Sequence, residues 1–531
     1  MSMNVIPTME RMSRGLLALA FLGCISLRPT SAGGQAKGDA EWTTSSGDPA
    51  RDAWQRGDSQ ITPQTAKDIQ LLWKVKVVNK TMGLQSFREP LIIFGVKTKS
   101  GVRNLALLVG ASNDVFAINT SSGTIVWQKK LQWNSDKPQE AGEGRGFICT
   151  NAQSATPVVT PAGAASRHLY VLASDGYLHI MDLATGDEGE KAIQVLPLPY
   201  GKPYGLNLVN NVVYTITGQG CAGDPNALYA VNLANRKVTV SQPPQGGLWG
   251  TAGPAVDSEG TIYFESGDHP YDAAAGLLST SVEAFTFAND TLTLKDYYTP
   301  SNHKWLTQRD LDMNVTPVIF PYKGRDLLVA SGKEGRFILL DSKSLGGADH
   351  ETPLFRSALF SNTNVNFQTE GTWSSLASWE DKDGTRWVLA PTGGKVAVNF
   401  PVSYGPTPNG GMLAMKLTEK NGKPELEPAW LSRDMMTAEP PVVVNGVVFV
   451  LAAGEFTGQA NDAQGGLFSA EERIKRSIPA KLYALDALTG KELYSSEDQV
   501  SSFLHQAGPS VAGNQIIFGT FDGTIYCFGI K

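Results

Sequence analysis

Cysteine and histidine are scarce in this 531-residue chain, with four of the first and six of the second. The histidines are scattered and show no metal-ligand spacing. No Cys-x-x-Cys-His occurs, so no covalently attached haem is expected. Neither Gly-x-x-x-x-Gly-Lys-Ser/Thr nor Gly-x-Ser-x-Gly is present, which removes the usual phosphate cradle and nucleophile elbow. A basic run is missing too, and the formal net charge is −6. That balance argues against a nucleic-acid surface or an anionic-lipid patch. After the first thirty-odd residues, no apolar stretch is long enough to cross a bilayer.

The N-terminus reads as an export signal. Arg11 and Arg14 precede an apolar run from Leu16 to Leu27, and Thr30-Ser31-Ala32 offers a small-residue cleavage site near Ala32. Leu22-Gly23-Cys24 is a looser match to a lipid-anchoring signal, disfavoured by Phe21. The mature chain is therefore expected to be periplasmic or secreted, with a lipid anchor at Cys24 the lesser option. Cys149, Cys221 and Cys527 then remain. In an oxidising compartment a Cys149–Cys221 pair is favoured, against three separate buried thiols.

Turn-formers are abundant, with 55 glycines and 30 prolines, and they punctuate many short apolar runs. One pattern recurs: an apolar strand, an Asp-Gly-type turn, a second strand, a Thr-Gly-type turn and a third strand. It appears from Leu107 to Trp127, from Leu169 to Gly186, from Leu327 to Asp341, from Lys481 to Leu493 and from Ile516 to Cys527. Asp-Gly supplies the positive φ that a tight hairpin needs. A meander that is apolar on both faces cannot bury itself, so neighbouring copies must cover it. The copies begin near Leu91, Ala155, Gly205, Gly250, Thr316, Ser374, Pro440 and Gly508, which favours eight over seven or nine. The expected fold is all-β: a single closed eight-bladed β-propeller of four-stranded antiparallel blades over residues 71–531. An N-terminal strand, Leu71–Val77, is expected to complete the last blade and remove its free edge. Residues 33–70 are read as an entry segment and 1–32 as the signal peptide. The insertion from Glu455 to Ala480 is read as a surface excursion between strands with one helical turn.

These repeats, with Asp/Asn-x-x-Thr-Gly turns and the trailing Trp127, resemble the pyrroloquinoline-quinone propeller repeat. The segment from Trp42 through Gly57-Asp58-Ser59-Gln60-Ile61-Thr62-Pro63 to Leu72-Trp73 is similar to the opening of quinoprotein alcohol dehydrogenases. The resemblance covers nearly the whole mature chain. It implies pyrroloquinoline quinone with calcium or a lanthanide, a small alcohol or sugar as substrate, and a separate electron acceptor. The same propeller also serves non-catalytic scaffolds that bind an envelope protein or polysaccharide, so that alternative stands beside it.

The resemblance also implies roles for particular residues. Trp249 falls on the tryptophan that supports the quinone ring; its plain alternative is a core tryptophan. Asp268, in Gly267-Asp268-His269-Pro270, falls where the family has a metal-ligating Asn; otherwise it is a solvated turn residue. Asp310 and Asp312 match a Trp-Asp-x-Asp pattern, the first as base toward the alcohol and the second as an added metal ligand. Their alternative is to bind backbone amides. Lys333 matches the cation that touches the quinone; otherwise it is a turn lysine. Two family features are missing. No adjacent cysteine pair exists, and Gln219 and Cys221 stand near the position of the metal-ligating Glu.

Overall fold

The computed structural model describes residues 40–57, 59–132, 148–164, 166–243, 246–460 and 466–531. The segment read as an export signal and Cys24 lie outside the described residues. Eight β-meanders follow one another along the chain, at 91–130, 158–194, 207–240, 247–298, 318–356, 377–431, 442–495 and 510–529. They stand as the blades of an eight-bladed propeller, blade 1 to blade 8 in that order.

Local chemistry explains the repeat. In blade 2 the hairpin turn Asp175-Gly176 places glycine at φ 85°, a conformation glycine adopts without cost. Asp182 then caps the second turn, its carboxylate accepting from the backbone N–H of Ala184 and of Thr185, each at 2.9 Å. Gly186 ends that turn because Trp127 of blade 1 lies on it. A Cβ at Gly186 would sit 2.5 Å from the indole. The Trp127 Nε1–H donates to the Leu183 carbonyl at 2.9 Å. Trp73 repeats this contact against the Thr120–Gly123 turn, and Trp430 against the Ala487–Gly490 turn. Each indole thus bolts the outer strand of one blade to the next.

Central strands are apolar on both faces, as in Val447–Ala452, buried throughout. Burying such a side chain contributes about 1.5–3 kcal/mol, and only the adjacent blades supply the cover. Gln70–Lys76 pairs antiparallel with Thr524–Gly529 and becomes the outer strand of blade 8, as expected. The four-stranded rule is broken at three places. The inner strand of blade 4 is split into Gly247–Trp249 and Ala255–Val256. Blades 6 and 7 gain short parallel strands, Val402–Ser403 and Trp54–Gln55.

The entry segment makes contact with every blade. Trp42 exchanges two backbone hydrogen bonds with Ile92 of blade 1. The Thr43 carbonyl accepts from Val159 of blade 2, and the Thr44 hydroxyl donates to the Leu206 carbonyl at the start of blade 3. The carbonyls of Pro49, Ala50, Asp52 and Ala53 accept from Val256, Ile319, Ser378 and Val443 of blades 4 to 7. The Gln55 amide donates to Val511 of blade 8. Arg51, fully buried, ties this belt together by donating to Ser45, Thr44, Leu206 and Pro254.

Cys149 and Cys221 form the favoured disulfide across 72 residues, and Cys527 is a buried free thiol. Among its described residues the 455–480 insertion is mostly exposed or half-buried, as expected of a surface excursion. Its helix, Ala470–Arg476, starts with a Ser469–Glu472 capping box. Arg473 is an exception, drawn inward to meet the buried Glu455.

Candidate functional site

The loops that enter the inner strands converge on one cavity of about 620 Å³. On each inner strand the belt binds a few residues beyond the lining loop, so the cavity is backed by the entry segment. Trp249, Asp268, Asp310 and Lys333 all line it, and Asp312 lies directly behind them.

Lys333 organises this wall. Its ammonium lies 2.6 Å from Asp310 Oδ1 and 2.6 Å from Asp312 Oδ2. The same nitrogen stands 6.0 Å from the Trp249 ring centre and 5.4 Å from that of Trp373. Asp312 Oδ1 also accepts the backbone N–H of Asp268 at 3.1 Å. Carboxylate oxygens of Asp268, Asp310 and Asp312 all lie within 4.8 Å of one another. Asp310 has φ 54° and Asp268 has φ 55°. Both are left-handed, which an aspartate tolerates better than most residues. Gly267 lacks a side chain for a reason: a Cβ there would lie 2.4 Å from Asp312 Oδ1. Glu265, fully buried beside Trp249 on the neighbouring strand, holds the framework. Its carboxyl accepts from the backbone N–H of Val315 at 2.7 Å and of Ser331 at 3.1 Å, pinning the loops that carry Asp312 and Lys333.

The electrostatics follow from burial and crowding. Asp268 opens on the cavity but lies deep in the funnel. Loss of solvent, then the charge of Asp312, pushes its carboxyl up to about 7. Burial raises Asp310 to about 6 against the pull of Lys333. Burial works on Asp312 the same way, yet the Lys333 charge and its hydrogen bonds hold it below the ordinary range. Lys333 stays above its usual value because the two aspartates outweigh its own burial.

Three carboxylates and one ammonium leave two negative charges uncompensated when all are ionised. Asp312, the buried one, is already paired with Lys333, while the oxygen donors that Asp268 and Asp310 show to the cavity suit a hard cation. Asn314 adds a buried amide oxygen on the cavity without a partner among the described residues, and the Trp249 Nε1–H is likewise unpaired. These features fit a cation and a flat conjugated ring. The departures seen in the sequence persist: Gln219 lines the cavity where an acid was sought, and Cys149 bonds Cys221 rather than a neighbour.

Sequence reasoning missed other lining residues, among them Lys202, Trp373, Glu439, Glu455, Arg473 and His505. A usable signal existed for some of them. Trp373, Glu439 and His505 each precede an inner strand, as Asp310 does.

No family model matches the chain, and no curated relative matches it. Solved structures do. The quinohemoprotein alcohol dehydrogenase of Pseudomonas putida HK5 aligns with TM-score 0.59 at 15% identity, covering 92% of this chain and 80% of that one. The quinohemoprotein alcohol dehydrogenase of Comamonas testosteroni gives 0.52 at 16%, with 92% and 80% covered. A europium-containing methanol dehydrogenase gives 0.54 at 14%, with 92% and 89% covered. At such identities the likeness is one of architecture: the chain shares the propeller fold of these alcohol and methanol dehydrogenases.

Proposed function

We propose that the cavity is the active site of an exported oxidoreductase that oxidises the hydroxyl group of a small alcohol or sugar, using pyrroloquinoline quinone and calcium or a lanthanide. The observation that carries this reading is the meeting of Trp249, Asp268, Asp310, Asp312 and Lys333 on one cavity wall. They come from separate loops of blades 4 and 5. Asp268, Asp310 and Asp312 would hold the cation, and Trp249 would support the ring. The quinone, when bound, supplies a two-electron acceptor that the cation polarises.

The remaining work falls to the chain itself. Asp310 exposes 46% of its side chain and accepts the proton of a hydroxyl held against it. Asp312, only 1% exposed and tied to Lys333 and to the Asp268 amide, stays ionised and keeps the ammonium in place. Lys333 offers positive charge above Trp249 and Trp373, where negative charge on a bound ring would be stabilised. Electrons would leave through a separate acceptor.

The test is reconstitution of the full chain with the quinone and calcium or lanthanum, followed by dye-linked alcohol oxidation. Turnover is expected, with Asp310→Asn lowering kcat by about 10²–10⁴-fold, the usual worth of a positioned base. Absence of both quinone binding and turnover with every metal overturns the reading. The missing acid at Gln219 favours a second one, a non-catalytic propeller that binds an envelope protein or polysaccharide. A tightly held quinone would remove it.

A further inference from the structure

Three blades round the ring from Lys333, the same cavity carries a second polar centre. His505, in the loop entering blade 8, lines it together with Glu455 and Arg473. His505 Nδ1 lies 2.7 Å from Glu455 Oε2, and Arg473 Nη2 donates to Glu455 Oε1 at 2.7 Å. The three are almost buried, at 9%, 1% and 5% exposure. A carboxylate at Nδ1 fixes the tautomer, so Nδ1–H donates and Nε2 keeps its lone pair. Nε2 has no hydrogen-bond partner among the described residues, while the ring borders the cavity.

The surroundings keep this imidazole neutral at pH 7. Burial depresses His505, with Arg88 and Arg473 adding to it, against the opposing pull of Glu455. Glu439, which accepts the backbone N–H of Gln506, is pushed up to about 8 by burial and by Glu455. It therefore adds little charge at neutral pH. Elsewhere the lining mixes the aromatic and apolar Trp249, Trp373, Met436 and Phe456 with polar Gln368, Thr369, Asn409 and Thr437. Such a mixture of apolar faces and placed polar groups suits a molecule with several hydroxyls. An acceptor nitrogen at one end asks for a hydroxyl there.

We propose that His505, oriented by Glu455 and Arg473, binds a hydroxyl group of a polyol or sugar whose other hydroxyls reach the Asp310–Lys333 wall. The hydroxyl keeps its proton and donates it in a hydrogen bond to Nε2, while Glu455 holds the Nδ1–H. This goes beyond the oxidation proposed above, because it assigns a second anchoring centre and a ligand with at least two hydroxyls. Its test uses neither quinone nor metal, so it fails or stands apart from that reading.

The experiment is a titration of the full chain, followed by isothermal calorimetry, with D-glucose and sorbitol as probes and ethanol as the single-hydroxyl control. The polyols are expected to bind at least roughly tenfold more tightly than ethanol. His505→Gln is expected to lose roughly tenfold in glucose affinity, the worth of one good hydrogen bond, while His168→Gln, on the outside of blade 2, changes nothing. Binding should weaken on acidification as Nε2 takes a proton. Glu455→Gln should move that midpoint to lower pH, since Glu455 raises the His505 value, a shift that mere loosening of the fold would not produce. Unchanged affinity in His505→Gln, an unmoved midpoint in Glu455→Gln, or no polyol binding by the wild-type chain overturns the proposal.

Discussion

Asp310 and Asp312 share one ammonium, but their surroundings differ. Asp312 is 1% exposed and also accepts the Asp268 amide, whereas Asp310 shows 46% of its side chain to the cavity. Without Asp312 the ammonium keeps Asp310, but the Asp268 amide loses its buried acceptor, a loss worth about 1–3 kcal/mol, while a half-exposed pair is worth about 1 kcal/mol or less. Asp312→Ala should therefore lower the unfolding free energy by about 1–3 kcal/mol and Asp310→Ala by less than about 1 kcal/mol. Urea denaturation checks the order, and equal losses would contradict it. Glu283 is fully buried against Ser266, and burial pushes its carboxyl up from 4.5 to about 8. The folded form then holds a proton that the unfolded chain releases, so stability falls as pH rises between those two values. The slope is at most about 1.4 kcal/mol per pH unit. Glu283→Gln should match the wild type near pH 5 and exceed it near pH 9, measured as Tm against pH. At this scale, Trp249, Asp268, Asp310, Asp312 and Lys333 were singled out by the family resemblance, and the fold brings them together at one cavity wall. Glu455 and Arg473 were not, since they belong to an insertion without periodicity. His505 pairs with Glu455 across fifty residues, and no spacing announces such a contact.

Whole elements were easier to read. The strands and both turn types follow from apolar runs between Asp-Gly and Thr-Gly, and every blade starts where the repeats place it. The polar composition of the 455–480 insertion matches its largely exposed described residues, yet the charge of Glu455 turns Arg473 inward, a contact that composition does not announce. The Cys149–Cys221 disulfide joins the approach to blade 2 with the centre of blade 3, and its neighbours Ile148 and Gln219 line the cavity. Closing 72 residues restricts the unfolded chain by about 4 kcal/mol in the loop-entropy account. The double variant Cys149→Ser with Cys221→Ser should lose a comparable amount in urea denaturation. A loss under about 1 kcal/mol would mean that native strain cancels the loop term.

At the scale of the molecule, ring closure has two parts: the Gln70–Lys76 strand on blade 8, and the belt from Trp42 to Gln55. The strand was foreseen because a lone apolar run near the N-terminus has nowhere else to pair. The belt was not, because its bonds go mostly through backbone carbonyls, which carry no residue signature. A chain beginning at Ser59 keeps the closing strand and loses the belt. It should unfold at a markedly lower temperature and over a broader range than the full chain, seen by calorimetry, as cooperation between distant blades is lost.

The belt also acts as a tally. Each blade takes one anchoring point from a segment of set length, in the same sequence as the blades themselves. Repeat proteins ordinarily lengthen or shorten by duplicating a unit. Here a gained or deleted blade would put every later anchor out of step, so the copy number is held by a stretch of chain that contains no repeat.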